Sequence, residues 1–200
     1  MHSTCIEIMQ NRFACKKYKE TKIPNEVLRT ILEAGRLSPS SFGLEAWHFH
    51  VCNSKDILDV CFNQESMKTA PTTIVVTCPK ADAFEPNGAF FAQRTSRFPG
   101  SLEEAIEDFR GYHDYLKEKG VLDHWAIAQC YIAVANMMTA AYEMGVQSCA
   151  IEGFNNDLLL ERLDLDKTKE SVGLVCAFGY PDEPPRDKIR MEFDSLVTFH

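Results

Sequence analysis

The chain has 200 residues, 45% of them hydrophobic and 25% charged, with 10 Gly and 9 Pro; this balance excludes disordered, collagen-like and disulfide-scaffold classes. At roughly 150 residues per domain one domain is expected, spanning 1–200. The 21 basic and 29 acidic residues leave a net charge of -8, which repels polyphosphate and anionic lipid alike, so neither nucleic acid nor a membrane is an expected partner.

Met1 to Arg12 has no apolar leader core, and no run approaches the ~18 apolar residues of a membrane span, so a cytoplasmic location is expected. Eight cysteines, among them Cys78, Cys130 and Cys176 in apolar runs, show no Cys-x-x-Cys pairing. They read as reduced, mostly buried thiols.

In chain order, Thr4-Cys5-Ile6-Glu7 has the spacing of a capping box, predicting a first helix to about Asn11. Pro24 opens a second, with Val27, Leu28, Ile31 and Leu32 on one face, ending before Pro39. Trp47, Phe49 and Val51 alternate with polar residues as a strand, and Asn53-Ser54 offers a cap for a helix through Ile57, Leu58 and Cys61. Thr72 to Cys78 is a second strand, and Lys80 to Gly100, with its Pro and Gly, reads as a loop or lid.

Ser101-Leu102-Glu103-Glu104 starts an amphipathic helix with Leu102, Ala105, Ile106, Phe109 and Leu116 on its apolar stripe. From Asp123 to Met144 the pattern is apolar nearly all round, and Gly145 is placed to stop it, giving a long buried central helix. Val146 to Ile151 and Ser171 to Tyr180 read as strands flanking a helix near Asp157 to Leu163. A polar, Pro-rich arm occupies about 181–200. The class is therefore α+β, a mixed sheet layered with helices.

Dinucleotide, P-loop, zincin and serine-hydrolase fingerprints are all absent. His48 and His50 share a strand face without a third ligand nearby, so no metal site is expected. What stands out in an acidic chain is the gathering of Arg12, Lys16 and Lys17 after the first helix, Ser38, Ser40 and Ser41 around Pro39, and Arg186, Lys188 and Arg190 in the arm. Such clusters suit a phosphate-bearing ligand, although the same runs also occur as solvated surface.

Taken in order, Arg12-Phe13-Ala14-Cys15-Lys16-Lys17-Tyr18, Ser38-Pro39-Ser40-Ser41 leading to Trp47-His48-Phe49, Ala70-Pro71, Ile151-Glu152-Gly153-Phe154, Phe178-Gly179-Tyr180 and Lys188-Ile189-Arg190 resemble the landmarks of the FMN-dependent nitroreductases. The closest likeness is to the oxygen-insensitive bacterial NAD(P)H nitroreductases. The resemblance implies a mainly antiparallel sheet flanked by helices, and a homodimer with FMN at its interface. It further implies ping-pong transfer from NADH or NADPH, through flavin N5, to nitroaromatics, quinones or related small-molecule acceptors. Enone reduction, dehalogenation or a non-catalytic flavin-binding module are the alternatives within the same fold.

Carried onto this sequence, the resemblance implies that Arg12, Lys188 and Arg190 hold the phosphate, with Phe13 and Ala14 beside it. Lys16 would approach the O2 and N1 edge, and Asn63 the pyrimidine edge. Pro39, Ser40, Ser41 and Gly43 would line the cofactor from the partner subunit, and Ile151, Glu152 and Gly153 would face N5. No protein acid or base is obligatory; Lys16 and Glu152 support the chemistry on the flavin. Phe109 and Tyr112 are candidates to roof the ring. Ala14, Gly43, Glu45 and Ala46 depart from the family's usual Ser, Asn, Gln and Pro, implying fewer contacts to the cofactor.

Overall fold

The computed structural model describes residues 4–200. The first three residues of the segment read for a leader lie outside the described residues. Thr4 and Glu7 close the expected capping box: Glu7 N–H donates to Thr4 Oγ1 at 3.2 Å and Thr4 N–H to the Glu7 carboxylate at 2.6 Å, opening α1 (Cys5–Asn11). Helix α2 (Asn25–Arg36) starts one residue after Pro24, which serves as its N-cap.

Strand β1 (His48–Cys52) follows, and the cap at Asn53 begins only a short 3-10 turn, Ser54–Ile57, rather than the expected helix. Left-handed backbone at Phe62 and Asn63 follows the turns beyond it. A one-turn helix, α3 (Glu65–Thr69), then leads into β2 (Thr72–Pro79).

The expected loop at 80–100 is corrected by the structure: it holds a 3-10 turn, Ala81–Phe84, and the helix α4 (Ala89–Thr95). Pro86 and Gly88 obscure the segment's pattern, but Phe84 and Phe91 are fully buried and tie it to the core. Phe91 stacks on Phe109 with centroids 4.8 Å apart.

Helix α5 (Leu102–Glu118) starts where expected, and the structure adds a capping box between Ser101 and Glu104. Its buried row is Phe109, His113 and Leu116, while Leu102 stays outside. Helix α6 (Leu122–Glu143) ends where Gly145 takes φ 74°. Then come β3 (Gln147–Ile151), α7 (Asn156–Arg162) and β4 (Glu170–Gly179).

The sheet runs β1-β2-β4-β3 with every neighbouring pair antiparallel. Alternation along β2 and β4 builds a core on each face. Ile74, Val76, Leu174, Cys176 and Phe178 point toward α2, α5 and α6; Val75, Val175 and Ala177 point toward Leu159 and Leu160 of α7 and Met67 of α3. At the register shift beside Val76/Thr77, a Cβ on Gly173 would fall 2.6 Å from Cys130 Cβ and Sγ, so the missing side chain is what seats α6 on the sheet.

Helix α6 is buried along Ala126, Cys130, Ala133 and Met137, while Ala128, Tyr131, Ile132 and Ala135 form an exposed stripe. Six cysteines are buried, Cys52 is half-buried and Cys5 is exposed. Burial pushes the Cys15 and Cys61 thiols up to about 12. No helix among the described residues is long and apolar enough to cross a membrane.

Candidate functional site

After α1 the chain runs along β3 and the C-terminal arm. Phe13 N–H donates to Gln147 Oε1 at 3.4 Å, Ala14 bridges Ser148 in parallel, and Tyr18 pairs with Pro181. This tethering brings Arg12 and Lys188 together although 176 residues separate them: Lys188 Nζ donates to the Arg12 carbonyl. The Arg12 Nε is buried with no partner among the described residues.

Burial first, and then the charges of Arg12 and Arg190, hold the Lys188 ammonium below its ordinary value. Lys188 thus sits on Arg12 and within reach of the charge of Arg190, beside a buried donor with no partner among the described residues, an arrangement that an anion with several acceptor oxygens would relieve. Arg186 is engaged elsewhere. It forks onto Glu183 at 2.8 and 2.9 Å and lies 5.6 Å over the Phe13 ring.

Lys16 is fixed at its backbone, whose N–H donates to Glu183 Oε1, and its Nζ reaches Cys149 Sγ at 3.2 Å on β3. The same strand ends at the buried Ile151, and Glu152 and Gly153 follow it. Tyr131 of α6 donates to Glu152 Oε1 at 2.8 Å; burial, then that carboxylate, pushes its phenol up to about 12.

A Cβ on Gly153 would lie 2.5 Å from Gln64 Nε2 and 3.7 Å from the Phe62 ring. Gly153 is therefore the floor of a narrow place whose wall is Phe62-Asn63-Gln64. Asn63 itself sits at φ 50°, its N–H donating to the Leu58 carbonyl at 2.9 Å. Sequence reading missed Gln64; its one signal was adjacency to Asn63.

The Pro39–Gly43 loop is pinned to α6. Ser38 Oγ accepts from Asn136 Nδ2 at 2.8 Å, Ser41 N–H donates to Gln129 Oε1 at 2.9 Å, and Ser40 Oγ accepts from Glu45 N–H at 2.8 Å. Among the described residues no hydrogen bond links this loop to Arg12 or Lys16 within the chain. Glu45 is held by Arg97, whose Nη1 donates to Glu45 Oε1 at 2.8 Å and whose Nη2 donates to the Gly43 carbonyl at 3.0 Å. Arg97 escaped sequence reading because the pairing spans 52 residues and leaves no local pattern.

Phe109 is fully buried and cannot roof a ligand, whereas Tyr112 is exposed and packs 5.6 Å from Phe42. Of the five non-glycine residues with positive φ among the described residues, four, namely Phe42, Glu45, Phe62 and Asn63, flank these loops. Backbone strain of this kind gathers where surroundings hold a site in place.

The nitroreductase family model matches residues 9–180. The chain belongs to the nitroreductase family. This is a family of flavin-dependent oxidoreductases. A Staphylococcus epidermidis protein named "Putative NAD(P)H nitroreductase" is 34% identical over 215 residues, covering 100% of this chain and 98% of its own. In fold, this family member is similar to an Exiguobacterium sibiricum protein named "putative nitroreductase in complex with FMN" (TM-score 0.80, 19% identity, 99% and 98% of the two chains). It is equally similar to an enone reductase of gut-bacterial fatty acid saturation (TM-score 0.80, 16% identity, 98% of each chain).

Proposed function

We propose that this nitroreductase-family chain is an FMN flavoprotein that oxidises NADH or NADPH and reduces small-molecule acceptors such as nitroaromatics and quinones. It works as a homodimer with the cofactor in a cleft between subunits. The observation that carries the reading is the contact of Lys188 with Arg12 beside the buried Arg12 Nε that has no partner among the described residues, with the charge of Arg190 close by. When bound there, FMN would supply the hydride-transfer chemistry between the nicotinamide and the acceptor.

This chain's residues bind, orient and bias that chemistry. Arg12, Lys188 and Arg190 clamp the phosphate through charge-assisted hydrogen bonds. Lys16, anchored at both backbone and side chain, presents a fixed cation to the edge where negative charge grows on reduction. Gly153 lets backbone come close to the ring, and its missing side chain also leaves the room that Gln64 occupies. Asn63 and Gln64 offer amides to the pyrimidine edge, and the Ser40–Ser41 loop closes the cleft from the partner. Glu152 holds Tyr131 in place rather than moving a proton in the reaction.

Two measurements test the reading. Purified protein should carry a flavin spectrum and release FMN on denaturation. Initial rates varied in both substrates should give parallel double-reciprocal lines, since donor and acceptor use one ring face in turn. Intersecting lines would replace this with a ternary complex, and a protein that takes up no FMN would overturn the reading.

A further inference from the structure

A cavity of about 620 Å³ opens between the end of α4 and the start of α5. Phe42, Phe91, Phe98 and Leu102 wall it, and Glu104 and Asp108 bring carboxylates to its lining; no Lys, Arg or His lines it among the described residues. Phe42 directly follows Ser41, so the cavity is continuous with the loop assigned above to the cofactor.

The strap that shapes the cavity is built from this chain's departures from its family. Gly43 sits at φ 62° with no Cβ, and a Cβ there would fall 2.6 Å from Phe98 Cζ, so the Phe98 ring occupies the space a side chain would take. Glu45, two residues on, neutralises Arg97 beside Phe98 at 2.8 Å. Phe42 is braced edge-on against Phe109 at 5.0 Å. Gly43 and Glu45, which looked like lost cofactor contacts, instead fasten an aromatic wall to the cofactor loop.

Resting on the oxidoreductase reading, we propose that this cavity seats the ring of the electron acceptor and selects it by charge. Planar aromatics that are neutral or cationic enter; carboxylated or sulfonated ones are turned away. Aromatic walls supply stacking area for a flat ring, and a pocket of this size suits a small aromatic molecule. The two carboxylates supply the sign. The Ser101 N–H and hydroxyl hold the Glu104 carboxyl below its ordinary range, so it stays ionised at neutral pH. Glu104 is shared with Ser101, and Asp108 stands exposed beside it; at contact distance such surface carboxylates separate ligands of opposite charge by about tenfold in affinity at low salt.

The test uses FMN-loaded protein and three compounds of one skeleton: para-nitrobenzoate, para-nitrobenzamide and para-nitrobenzyl-trimethylammonium. Calorimetry gives each Kd, and NAD(P)H oxidation gives each kcat/KM. The expected order is cation, amide, then benzoate, with about tenfold or more between the extremes at low salt. Asp108→Asn, on an exposed helix face, and high salt should both compress that range. Phe98→Ala should weaken all three together. Equal affinities, or an order untouched by Asp108→Asn, would overturn the proposal. Turnover that ignores charge would overturn charge selection and leave the oxidoreductase reading standing. Ordered binding without turnover of any of the three would overturn that reading and leave the charge-selective site.

Discussion

At Arg12 the buried Nε has no partner among the described residues, and Lys188 is crowded by two like charges. A phosphate at this point adds a bond to a donor that is already desolvated. Arg12→Ala should therefore weaken FMN binding by about ten- to hundredfold, roughly 1.5–3 kcal/mol, measured by fluorescence titration of the apoprotein. Unchanged affinity would place the phosphate elsewhere. Gly43 gives a second single-residue test. Alanine there meets both a positive φ and the Phe98 ring at 2.6 Å, so Gly43→Ala should destabilise the fold by about 1–3 kcal/mol in denaturant unfolding. A neutral result would mean that Phe98 swings away freely, and the strap would be looser than its contacts indicate.

Among the elements, α5 owes its start to a reciprocal cap: Glu104 N–H donates to Ser101 Oγ at 3.2 Å and Ser101 N–H donates to Glu104 at 2.8 Å. Ser101→Ala should lower stability by about 1 kcal/mol. The cap also has a pH signature. The folded-state carboxyl of Glu104 titrates lower than it does unfolded, held down by the Ser101 N–H and then its hydroxyl. Its contribution is thus present above the ordinary carboxylate range and fades as pH falls through the depressed folded value. The difference in stability between wild type and Ser101→Ala should shrink on acidification; a constant difference would separate the cap from the carboxylate. Because α5 forms one side of the cavity proposed to seat the acceptor, fraying of its first turn should also be felt as a raised acceptor KM.

Over the whole molecule, apolar surface is left where a second copy could cover it. Tyr131, Ile132, Ala128 and Ala135 line the outer face of α6, and the arm leaves Ile189 and Phe199 each 85% exposed. Light scattering should give twice the mass of one chain. FMN held at about a hundred times its Kd should add roughly 2.7 kcal/mol per site and raise Tm. A flavin-loaded monomer at micromolar concentration would contradict the interface cleft, and with it the donation of Ser40 and Ser41 from the partner.

Strands, helix starts and the long helix were legible in the chain because each is a local pattern: alternation at Trp47 to Val51, the β-branched run from Thr72 to Cys78, the reciprocal cap at Thr4/Glu7, the helix start at Ser101 and the stop at Gly145. The family landmarks were legible for the same reason, as short runs in fixed order. Tertiary structure alone decided the rest. It made α4 a helix by burying Phe91 against Phe109, although Pro86 and Gly88 argued for a loop. It carried Lys188 to Arg12 across 176 residues, set Gln64 against Gly153, and gave Glu45 to Arg97. Those pairings depend on how layers stack and where loops return. Periodicity records which face of an element is apolar, but it carries no term for which distant side chain that face will meet.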